Sequence, residues 1–115
     1  MLFDIDIATR DIYIRPGTTD CRKGAVSLAA LAMGWMDRDA TDGSLFVFCS
    51  ADRRTVKVLV WDGNGFLLCQ KRLMRGTFAW PVDNREAMLV QADELRMTLA
   101  GMDCWRRFDR VGKPA

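Results

Sequence analysis

The chain has 115 residues, half of them apolar, with 17 basic and 15 acidic side chains and no histidine. At this length one domain is expected, burying about 65% of the unfolded surface, and the composition is that of a globular rather than a disordered or fibrous protein. Lack of histidine excludes Ser-His-Asp and Cys-His nucleophile pairs, His-ligated zinc and the commonest general base.

Along the chain, Phe3, Ile5 and Ile7 alternate with Asp4 and Asp6, as a strand or a frayed extension of one would. Asp11 to Arg15 also alternates and stops at Pro16-Gly17, which predicts a short strand entering a turn. Thr18-Thr19-Asp20 offers helix caps. Gly24, Leu28, Leu31 and Trp35 then recur on one face, so a helix is predicted from about Cys21 to Met36. Asp37 to Gly43 is polar and reads as a loop. Leu45 to Cys49 and the β-branched Thr55 to Trp61 read as strands, and Asp62-Gly63-Asn64-Gly65 is a tight hairpin turn leading into a strand Phe66 to Leu73. Phe78-Ala79-Trp80 before Pro81 suggests an edge strand. Met88, Ala92, Leu95, Leu99 and Met102 fall at helical spacing before the stop at Gly101, predicting a second helix. The expected fold is a single α+β domain over residues 1–110, a small antiparallel β-meander packed with two main helices. A disordered tail is expected over residues 111–115.

The net charge of +2 is unevenly spread, with 6 basic and 2 acidic residues between Leu45 and Pro81. A local basic field of that kind suits a polyanion, although a solvated sheet face accounts for it equally well. Cys21, Cys49, Cys69 and Cys104 form no metal-ligand spacing, and no metal or cofactor is expected. The N-terminus is acidic where a secretory signal needs positive charge. The longest nearly apolar run, Gly24 to Met36, is 13 residues, so a cytoplasmic location, reduced thiols and no membrane partner are expected.

An even-numbered hairpin loop fixes which side chains share a face. Lys57, Leu59, Trp61, Phe66, Leu68, Gln70 and Arg72 fall on one side, and Val56, Val58, Val60, Leu67, Cys69, Lys71 and Leu73 on the other. The second set is the core face. The first interleaves rings with cations, and Arg53, Arg54 and Arg75 lie just beyond the strand ends. Rings to stack and cations for phosphates are what a sheet needs to hold nucleic acid. The alternative is that helices cover both faces, Trp61 and Phe66 are core, and the cations snorkel at the edge. A second constellation, Thr18 to Gly24, puts Arg22 and Lys23 at a helix start that could bind a phosphate or be a plain cap. Asp4, Asp6 and Asp62 find no further acid placed to complete a two-metal centre.

Three strings together resemble a known family: Thr18-x-Asp20-x-Arg22-Lys23-Gly24, then Leu45-Phe46-Val47-Phe48, then Lys57-Val58-Leu59-x-Trp61-Asp62-Gly63-Asn64-Gly65-Phe66. Lys71-Arg72-Leu73-x-Arg75-Gly76-x-Phe78-x-Trp80-Pro81 and Leu99-x-Gly101-Met102-Asp103 extend the likeness from about Ile12 to Trp105. The sequence resembles the TnpB-type, or Orf2-like, accessory protein of the bacterial insertion-sequence family numbered sixty-six. That resemblance implies a protein encoded beside a separate acidic-triad transposase and needed for the element to move, with no biochemical activity supplied. Relatives commonly carry an arginine-rich stretch where this chain reads Cys49-Ser50-Ala51-Asp52-Arg53-Arg54-Thr55. If those arginines meet phosphate, DNA binding here is expected to be weaker, with a salt slope shallower by about 0.9 for each phosphate left without its cation.

The expectation is therefore a non-enzymatic transposition accessory protein that engages DNA, at the element ends, through Lys57, Arg72, Arg53, Arg54, Arg75 and Lys71, with Trp61 and Phe66 beside them and Arg22 and Lys23 secondary. The competing expectation is an adaptor that docks the transposase without touching DNA, using Phe78, Trp80, Trp105 and Phe108 as aromatic anchors.

Overall fold

The computed structural model describes residues 6–22, 24–34, 36–82 and 88–102. Met1 to Ile5, Lys23, Trp35, Cys104, Trp105, Phe108 and the expected tail therefore lie outside the described residues. Strand β1 (Ile12–Ile14) is short and wholly buried. Ile7–Thr9, next to the alternating N-terminal residues, form a 3-10 turn whose cap is the Asp6 carboxylate, accepting from the Ala8 N–H at 3.0 Å.

Helix α1 (Ala25–Gly34) starts later than the expected Cys21. The Asp20 carboxylate accepts from the Arg22 backbone N–H at 3.1 Å, an Asx-type turn that takes up the residues the helix was expected to begin with. Leu28, Ala29 and Ala32 are its buried residues, and no charged residue occurs within it.

Strands β2 (Leu45–Cys49), β3 (Thr55–Trp61) and β4 (Phe66–Arg72) form the expected antiparallel meander. Trp61 pairs with Phe66 and Lys57 with Gln70, so the two faces carry the side-chain sets inferred from the even loop. The Asp62 N–H donates to the Gly65 carbonyl at 3.0 Å, and Gly63 has φ +109°, a conformation that favours glycine.

Three expectations are corrected. The sheet is mixed, in the order β4-β3-β2-β1-β5: β1 runs parallel to β2, with α1 in the crossover between them. The stretch expected to open the second helix instead makes β5 (Met88–Val90), antiparallel to β1. Its alternation of half-buried, exposed and buried residues has a period of two. Helix α2 (Ala92–Leu99) begins only where the Glu94 carboxylate accepts from the Gln91 N–H at 2.7 Å. Lastly, Phe78 to Trp80 is not an edge strand. Its backbone bonds to turns, as in the 2.7 Å bond from the Phe78 N–H to the Arg53 carbonyl, and both rings enter the core.

The sheet is covered on both sides. Tyr13, Phe46, Phe48 and Leu59 pack beneath α1, whereas Ile12, Ile14, Val47, Val58 and Val60 pack with Phe78, Trp80 and Leu95 of α2.

Candidate nucleic-acid interface

The mixed face of the hairpin is divided by α1. Leu59 is fully buried in the cluster under the helix and Leu68 packs against that cluster, so the centre of the face is core. Trp61 and Phe66 remain half-buried at the turn end, edge-to-face with ring centroids 5.0 Å apart. Trp61 lies four positions along the strand from Lys57, about 13 Å. The rings and the cations thus stand at opposite ends of the hairpin.

At the cation end lies an open cleft of roughly 600 Å³. Three segments build it: Thr19 to Arg22 ahead of α1, Ser50 to Asp52 in the β2–β3 turn, and Thr55, Lys57, Gln70 and Arg72 from β3 and β4. The 2.7 Å bond from the Thr19 N–H to the Cys49 carbonyl ties the first segment to the end of β2. The two constellations that sequence reasoning treated separately, one around Arg22 and one around Lys57 and Arg72, therefore share one cavity.

Two arginines of the cleft are braced by carboxylates. Arg22 lies 3.0 Å from Asp20, and this hydrogen bond, with the neighbouring charge, pushes the guanidinium pKa up. Arg72 donates to Thr55 Oγ1 at 3.0 Å and stands 3.7 Å from Asp52. The Asp52 carboxylate is held below its ordinary range chiefly by the Ser50 hydroxyl at 2.6 Å, then by the Arg54 N–H at 3.0 Å. Lys57 differs from both. Half-buried on the interior strand β3, it has no hydrogen-bond or ion-pair partner among the described residues.

Arg53 and Arg54 project from the turn, exposed and just outside the cleft, and Arg75 is exposed in the loop after β4. Arg53 holds φ +59°, the left-handed region that side chains other than glycine rarely adopt. Lys71 faces the other way, its Nζ donating to the Leu99 carbonyl at 2.6 Å at the end of α2. Phe78 and Trp80 are 1% and 6% exposed, so the partner anchors expected there lie in the core instead. Lys23, Trp105 and Phe108 are outside the described residues.

Sequence reasoning missed the hydroxyls of Thr19, Ser50 and Thr55 and the organising role of Asp52. The register that pairs Thr55 with Arg72 was available as a signal for Thr55. Thr19 was read only as a helix cap within the Thr18 to Gly24 constellation, and a long-range hydrogen bond brings it to the cleft. Among the described residues no helix is long and apolar enough to cross a membrane, and no group of three metal-ligating side chains occurs.

No solved structure matches the chain. Two proteins of Sinorhizobium fredii are similar to it. Uncharacterized protein y4hO is 36% identical over 103 residues, 90% of this chain and 89% of that one. Uncharacterized protein y4jC is 30% identical over 99 residues, 86% of this chain and 84% of that one. The family model described as IS66 Orf2 like protein matches residues 10–109, which include the cleft, the hairpin and both helices. The chain belongs to the IS66 Orf2 like protein family and is thereby a transposition-associated accessory protein of an insertion element.

Proposed function

We propose that this accessory protein acts by engaging DNA, at the ends of its element, through the cleft and the arginines around it, with no catalytic step of its own. One observation carries the reading: the half-buried Lys57, with no hydrogen-bond or ion-pair partner among the described residues, lines a cleft whose two arginines are oriented by carboxylates and a hydroxyl. Cations held in place before binding lose little freedom when a phosphate arrives. Arg53, Arg54 and Arg75 would meet flanking phosphates. Gel retardation of element-end and random duplexes across a salt series tests this. Lys57→Met with Arg72→Gln should weaken binding and flatten the slope of log K against log salt by about 0.9 for each phosphate no longer neutralised. No retardation at low salt, or an unchanged slope, would overturn it.

A second reading, docking of the element's transposase, is supported by a different surface. The outer side of α1 carries Val26 and Met33, 77% and 52% exposed, on a helix without a charge. A pull-down with the transposase that survives nuclease and high salt, and fails with Val26→Glu and Met33→Glu, would favour that role.

A further inference from the structure

We infer that the cleft takes the terminal phosphate monoester of a nucleic-acid strand rather than a run of internal phosphates. This rests on the DNA reading above and specifies what enters the site.

The donors line one cleft. Thr19 and Thr55 are 4% and 7% exposed, and the hydroxyl of each already accepts from an arginine, Arg15 at 2.8 Å and Arg72 at 3.0 Å. A hydroxyl that accepts still has one proton to give, and among the described residues neither threonine hydroxyl donates it. Together with the Lys57 ammonium this makes three donors lining the same cavity. A tetrahedral oxyanion, with several acceptor oxygens and negative charge, can accept from two hydroxyls and an ammonium at once.

The carboxylates argue against a continuous chain. Asp20 and Asp52 come from different segments but line the same cleft. A backbone threading the cavity brings successive phosphates against one or the other. A strand that ends there brings one phosphate to Lys57 and leaves outward, past Arg53 and Arg54. A monoester also carries about 1.5 to 2 negative charges at neutral pH against one for an internal diester, so the same donors favour the end. Among the described residues no ring lines the cleft, and Trp61 and Phe66 stand at the other end of the hairpin. The described residues therefore offer its cations no base-stacking platform of the kind single-strand binders use.

Fluorescence anisotropy with the full chain decides the matter, using labelled duplexes of one sequence that carry a 5′-phosphate, a 3′-phosphate or only hydroxyl ends. The expected result is roughly tenfold tighter binding of at least one phosphorylated duplex. Lys57→Met should abolish that preference, and so should Thr55→Val, which keeps the side-chain shape; the thermal melt of each variant checks that it folds. Equal affinity for all three duplexes overturns this inference while leaving the DNA reading standing. A preference that survives both substitutions also overturns it, by placing end recognition elsewhere. Failure to bind any duplex at low salt overturns the DNA reading itself.

Discussion

The indole Nε1 of Trp80 donates a 2.9 Å hydrogen bond to the backbone carbonyl of Arg15, joining residues 65 positions apart. Arg15 in turn bonds through its backbone N–H to the Val47 carbonyl at 3.0 Å and through its guanidinium to Thr19. A core tryptophan thus holds the start of the crossover that leads into the cleft.

Trp80→Phe keeps a ring in the core and removes this bond, with an expected loss of about 1 kcal/mol. Trp80→Ala should lose about 3–5 kcal/mol by leaving a cavity. Urea unfolding followed by circular dichroism measures both. A surface anchor for a partner would leave the midpoint unchanged.

Arg53→Gly separates stability from binding. Replacing a side chain at φ +59° relieves backbone strain, while glycine's greater unfolded-state freedom opposes the gain, so stability should rise by no more than ~1 kcal/mol. DNA retention should nonetheless fall, since a cation is removed. A large drop in the unfolding midpoint would contradict this account.

The thiol of Cys49 is fully buried, and burial, with Cys21 nearby, pushes its pKa up to about 12. Because the folded state holds the proton more tightly than the unfolded chain, stability should decline as pH rises above the ordinary thiol value and continue to fall toward pH 12. Cys49→Ala should show a shallower decline between pH 8 and pH 10.5 in urea titrations. Alkylation at pH 8 should modify Cys21 and Cys69 before Cys49.

Asp52 shows the opposite sign. Its folded-state pKa is depressed, so its contribution is present above the unfolded value and is lost as pH falls through the folded one. Asp52→Asn should therefore be less stable than the parent at pH 7 and indistinguishable from it well below the ordinary carboxylate range, as read by thermal melts at both values.

The parts of the molecule legible in the sequence are those set by local spacing. The even-numbered turn Asp62 to Gly65 fixed which residues share each face whichever register the strands took, and the structure selects the pairing of Trp61 with Phe66. Met88 was misread because it also fits a helical stripe with Ala92 and Leu95. Only pairing with β1, nearly 80 residues earlier, selects the period of two. The parallel placement of β1 beside β2 left no local trace either. At the site, the cations could be identified from composition, but their separation from Trp61 and Phe66 follows from where α1 lands, which spacing does not encode.

The cleft also links two parts of the chain with different folding demands. Ser50 to Arg72 belongs to the meander, where each strand meets its sequence neighbour. Thr19 to Arg22 arrives through the crossover, whose strand Ile12 must find Leu45. Pairings that close long loops form against a larger entropy and come late. A chain with only its meander in place has Lys57 and Arg72 but no enclosing wall. Whatever occupies the cleft therefore acts as a clasp on the crossover. Ligand at a hundredfold excess over its Kd would stabilise the whole domain by about 2.7 kcal/mol, so occupancy becomes readable as thermal stability without any label on the DNA.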